Sequence, residues 1–136
     1  MVFFYNHETF TFVILIIIMQ IEDLIGEYQI IGKNQDNTEN TYKGILNLSL
    51  LNNNKLKAVW LINKSQQQFG EGFFKDNILV INFEYQGDEN DIYKGTVVYR
   101  CLSKDILDGF WSEEFGNPNY LGEERCFRIK ENEILN

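Results

Sequence analysis

The sequence predicts an all-β protein: one antiparallel up-and-down barrel of about eight strands, preceded by an extra apolar segment. Three observations predict it. The chain has a single alanine, Ala58, against sixteen asparagines and sixteen isoleucines. Alanine is the best helix former, asparagine favours turns, and β-branched and aromatic residues favour strands. From Gly26 onward, turn residues recur every eight to twelve positions, and apolar residues alternate between them. The links are mostly short, which forces antiparallel neighbours, and closing such a meander removes its exposed edges.

The elements follow in order. The first strand is expected over 26–32, before the polar loop 33–40. The second, 41–51, places Tyr42, Gly44, Leu46, Leu48 and Leu50 on one face and Lys43, Asn47 and Ser49 on the other. Three asparagines, Asn52, Asn53 and Asn54, make the next turn. The third strand, 56–62, puts Ala58, Trp60 and Ile62 together. The fourth, 67–74, carries Gly70 and Gly72 at alternate positions and ends in the tight turn 75–77. The fifth, 78–85, aligns Leu79, Ile81, Phe83 and Tyr85. An acidic loop, 86–91, leads to the sixth, 92–102, where Tyr93, Gly95, Val97, Tyr99 and Cys101 share a face. The seventh spans 106–112. The longest loop, 113–122, holds the one proline, Pro118, and the eighth strand covers 123–130. Glycines inside the strands permit the sharp coiling of a small barrel. A two-sheet sandwich is the alternative architecture.

The order of these signals resembles the calycin-type barrels, the group that holds lipocalins, fatty-acid-binding proteins and avidins. Members open with Gly-x-Trp and close with a basic residue packed over that ring. Here the opening is Gly26-Glu27-Tyr28, with tyrosine in the tryptophan's place, and the closing residue is Arg128. More closely, the series Gly26/Tyr28, Tyr42/Gly44, Trp60, Gly70/Gly72, Leu107/Gly109/Trp111 and Gly122/Glu124 resembles a set of small bacterial barrel proteins of unassigned function. The resemblance implies the barrel and says little about its use.

Residues 1–18 form a separate segment ahead of the domain at 19–136. Its apolar run is about ten residues long, too short for the roughly twenty of a membrane span, so no stable span is expected. It has no basic residue before the run and no small-residue cleavage site, which argues against an ordinary export signal and leaves a misassigned start at Met19, a divergent export signal or anchor, and a structural extension as the alternatives. The domain is expected to be cytoplasmic, or exported if 1–18 is a signal.

The formal net charge is -8, which repels phosphate backbones and argues against nucleic-acid partners. The only histidine is His7. Within 19–136 that removes histidine-based nucleophile schemes and the usual zinc sets, so no enzyme, metal or cofactor is expected. Cys101 and Cys126 are expected as buried free thiols, with one bridge as the alternative.

The alternation points Tyr28, Tyr42, Trp60, Tyr93, Tyr99, Trp111 and Arg128 inward as candidate ligand-binding residues. An inward Glu124 is expected to pair with Arg128. A non-catalytic module for a small apolar or aromatic ligand is the leading expectation. A barrel filled by its own side chains, acting in structure or protein interaction, is the alternative. Ile31, Val59, Leu61, Val80, Val98, Phe110 and Phe127 point outward, so a homo-oligomer through that face is also expected.

Overall fold

The computed structural model describes residues 18–130. Eight strands run β1 (Gly26–Lys33), β2 (Thr41–Leu51), β3 (Lys55–Ile62), β4 (Gln66–Lys75), β5 (Ile78–Gln86), β6 (Ile92–Cys101), β7 (Ile106–Glu113) and β8 (Gly122–Arg128). Each pairs antiparallel with the next, and β8 pairs with β1 to close the barrel. The sandwich alternative is thereby excluded. His7 and most of the apolar segment lie outside the described residues, and so does the question of where translation starts.

Turn chemistry sets the register. Asp76 and Asn77 both adopt positive φ, at 50° and 62°, giving a two-residue link whose twist matches that of the strands it joins. Asn63 and Lys64 also adopt positive φ, at 50° and 67°, in the three-residue link between β3 and β4. In the asparagine turn, Asn53 and Asn54 take up the left-handed region.

The inner face is the predicted one. Ile30, Leu46, Leu48, Leu56, Leu79, Ile81 and Leu107 are almost wholly buried, with Tyr28 and Tyr99 among them. Leu50, of the same parity in β2, lies near the hairpin end and is exposed. Outward, Ile31, Leu61, Phe110 and Phe127 are exposed, while Val59, Val80 and Val98 are half-buried. Cys101 and Cys126 are free and buried. Desolvation pushes the Cys101 thiol up to about 12, so it stays protonated at neutral pH.

One end of the barrel is plugged. A short 3-10 turn, Ile21–Leu24, drops Leu24 into the end of the core, and Met19 packs beside it. Arg128 latches this plug. Its guanidinium donates to the carbonyls of Ile25 (2.7 Å), Asp23 (2.6 Å) and Lys104 (2.8 Å), and to the Tyr28 hydroxyl (2.7 Å). It also lies 4.8 Å from the centre of the Tyr28 ring and 3.3 Å from an Asp105 carboxylate oxygen. The Tyr28 hydroxyl donates in turn to the Leu24 carbonyl at 2.8 Å. Gly26 makes room for this. Its φ of 143° is one that side-chain-bearing residues rarely adopt, and a Cβ there would meet Arg128 Nη1 at 2.3 Å. The expected Arg128–Glu124 pair does not form, because Arg128 is spent on the plug. Although both residues face inward on β8, Glu124 sits four residues nearer the strand's other end.

Candidate functional site

Antiparallel topology sends the late residues of odd strands and the early residues of even strands to the end opposite the plug. That end collects Tyr42, Trp60, Phe83, Tyr85 and Trp111 around a cavity of about 230 Å³. Ile62 and Val97 complete its apolar wall, Gln66 and Gln68 add amides, and Asn34, Asn63 and Glu113 stand at the rim. The volume exceeds the roughly 150 Å³ that accepts benzene in an engineered apolar cavity, and falls below the roughly 300 Å³ where drug-sized sites begin.

The space under these rings comes from glycines directly opposite them across the ladder. Gly32 pairs with Tyr42, Gly95 with Phe83, and Gly122 with Trp111. A Cβ on Gly122 would meet the indole of Trp111 at 2.0 Å, and one on Gly32 would meet the Tyr42 ring at the same distance. Each ring folds flat over its bare neighbour, so glycine placement shapes the cavity. The rings meet edge-on: Trp60 and Phe83 at 5.9 Å, Tyr42 and Trp111 at 6.3 Å, and Phe83 and Trp111 at 6.5 Å between centroids.

At the floor lies Glu124, only 5% exposed. Its Oε1 accepts from the Tyr42 hydroxyl at 2.8 Å. Its Oε2 accepts from the Trp60 indole N–H at 3.2 Å and from the Tyr99 hydroxyl. The Cys126 thiol is a weaker contact to Oε2 at 4.0 Å. Burial raises the Glu124 pKa above its ordinary value, against the three hydrogen bonds that lower it. Burial first, and the Glu124 carboxyl second, push the Tyr42 hydroxyl far above its ordinary value. The Tyr99 hydroxyl is pushed up as well, again chiefly by burial. The Trp111 indole N–H lies close enough to Tyr42 to oppose that rise, yet it is buried and meets no acceptor in hydrogen-bonding geometry among the described residues.

The rim is also tied down. The Tyr85 hydroxyl donates to Glu113 at 2.6 Å, and its ring stacks on Tyr93 at 5.3 Å. Gln35 accepts from the Glu113 backbone N–H at 3.0 Å and donates to the carbonyls of Asn117 and Tyr120 at 3.1 and 3.0 Å. One side chain thereby holds the longest loop at the mouth.

Of the residues expected to line a site, Tyr42, Trp60 and Trp111 wall this cavity. Tyr99 braces its floor, and Tyr93 backs Tyr85 at the rim. Tyr28 and Arg128 belong to the plug. The sequence reading did not place Phe83, Tyr85, Gln66, Gln68 or Glu113 at a site, and it assigned Glu124 to the wrong partner. Parity along β4, β5, β7 and β8 is the signal that places them.

No family model matches the sequence, and a search of curated proteins found no match. Solved structures do match in fold. A redesigned β barrel, mFAP1, bound to DFHBI, superposes with a TM-score of 0.65 at 18% identity, covering 79% of this chain and 97% of that one. Another, mFAP0, also bound to DFHBI, gives 0.63 at 19% identity, covering 78% and 99%. At such identity the likeness is one of fold: a small, closed, eight-stranded antiparallel barrel. Among the described residues, no helix is long and apolar enough to cross a membrane.

Proposed function

We propose that this protein is a non-catalytic binding module that holds a small aromatic ligand in the open end of its barrel. The carrying observation is the cavity of about 230 Å³, walled by Tyr42, Trp60, Phe83 and Trp111 over a buried, hydrogen-bonded carboxyl. Aromatic walls with a few fixed polar groups suit a ligand whose flat body is apolar and whose edge is polar. The similar barrels mFAP1 and mFAP0, each bound to DFHBI, lend this reading support from fold. The Arg128–Tyr28 latch over Gly26 supports a calycin-like affiliation in the same way.

The reading is non-catalytic because the donors around Glu124 are engaged in holding it, and none is a second titratable group poised to exchange a proton near neutral pH. Self-association through the outer face is a second part of the reading. It is favoured by Ile45 and Leu61, exposed and directly paired, with exposed Ile31 nearby on β1.

A ligand entering the cavity is expected to change the emission of Trp60 and Trp111 in a saturable way and to raise Tm. At one hundred times its Kd it adds about 2.7 kcal/mol of stability. A screen of small one- and two-ring compounds in which none gives a saturable change and none raises Tm contradicts the reading.

A further inference from the structure

We propose that the cavity selects aromatic ligands carrying a protonated amine over neutral or anionic compounds of the same shape. This rests on the binding-module reading and names its ligand class. The first observation is charge. Two carboxyl groups, Glu124 at the floor and Glu113 at the rim, line the cavity, and no lysine or arginine does. A buried carboxylate with hydrogen bonds but no countercharge is expensive to keep ionised, and an ammonium group supplies that countercharge.

The second is valence. A carboxylate has about four acceptor positions. Oε2 receives two strong donors, Trp60 and Tyr99, while Oε1 receives only Tyr42. One acceptor position on Oε1 is therefore left, beside Tyr42, a residue of the cavity wall. An amine N–H fills it, whereas a ligand carboxylate brings a second negative charge to the same place.

The third is the wall itself. The faces of Trp60, Trp111, Phe83 and Tyr42 carry negative quadrupole potential, which attracts cations and most strongly so away from water. The chain's net charge of -8 adds long-range attraction of the same sign.

The test is titration calorimetry of the full chain at neutral pH with three compounds of one ring position: naphthalenemethylamine, naphthalenemethanol and naphthoate. The amine is expected to bind about tenfold more tightly than the alcohol, and the carboxylate most weakly. In Glu124→Gln the ratio of amine to alcohol affinity, both measured on the variant, is expected to fall below about threefold, since the charge that favours the amine has gone. An alcohol that binds as well as the amine to the native protein overturns the charge preference and leaves the cavity reading standing. That comparison needs no variant and decides the matter even if Glu124→Gln fails to fold. A variant that folds and keeps the full amine preference overturns the role given to Glu124. Failure of all three compounds to bind overturns both readings together.

Discussion

Glu124→Ala is expected to destabilise the fold by about 3 kcal/mol, among the largest effects of any single substitution in this chain. Three buried donors, on Tyr42, Tyr99 and Trp60, share this one carboxyl. Each donor left unsatisfied costs about 1–3 kcal/mol, and water entering the enlarged cavity recovers part of the sum. Glu124→Gln keeps one acceptor but turns an amide N–H₂ toward donors, for a cost of about 1–3 kcal/mol. The two variants differ further in pH dependence. Burial raises the folded-state pKa of Glu124 above its ordinary 4.5. The folded state therefore holds this proton more tightly than the unfolded chain does. The contribution is complete below about pH 4.5 and is lost as pH rises through the folded-state pKa. Urea unfolding at several pH values is expected to show native stability falling over that window, with the deficit of Glu124→Gln shrinking as pH rises. An alanine variant within about 0.5 kcal/mol of the native protein contradicts the role given to this carboxyl.

Arg128→Ala is expected to cost about 3 kcal/mol, and the loss arises at the opposite end of the barrel. One guanidinium satisfies three backbone carbonyls and a tyrosine hydroxyl, and bonds to a charged donor contribute about 1.5–3 kcal/mol each before its own desolvation is subtracted. Lysine has a single ammonium on a flexible stem and cannot span those acceptors, so Arg128→Lys is expected to recover less than half of the loss. Tyr28→Phe removes one hydroxyl from the same cluster and is expected to cost about 1 kcal/mol. Because the plug is remote from the cavity, ligand affinity is expected to be unchanged in the Arg128 variants that fold. Amide hydrogen exchange is expected to quicken at Leu24 and Tyr28 before it quickens on β3 to β6. An Arg128→Ala protein with native stability, or one whose ligand affinity drops with its stability, contradicts a separate latch.

The strands were legible because each is a local statement: parity chooses the face, and asparagine, aspartate and glycine mark where the chain reverses. Leu79, Ile81 and Phe83, for example, could face only one way together. The site was less legible because a cavity depends on height along the barrel, which parity leaves open. Tyr28 and Tyr42 both point inward, yet one serves the plug and the other the cavity, since β1 and β2 run in opposite directions. That distinction follows from topology once the strand order is accepted, and it would have separated Arg128 from Trp60 and Trp111. Glu124 is harder. Its donors come from β2, β3 and β6, and nothing near it in sequence announces that three elements converge on it. The glycines opposite Tyr42, Phe83 and Trp111 were visible in the sequence, but their partners depend on the register.

The most direct test of the central claim, that the open end of this barrel is a ligand cavity, is the mass of the full chain purified from its own host, measured under native and then denaturing conditions. A barrel that holds a ligand is expected to show a native mass that exceeds a whole number of chains by on the order of 100–200 Da per chain, the mass of a molecule of one or two rings, and to lose this excess on denaturation. The same spectrum gives the number of chains in the native species, which tests the proposed self-association. A native mass with no excess, from protein whose tryptophan emission also answers to no small aromatic compound, would contradict the claim and leave the barrel acting through its surface.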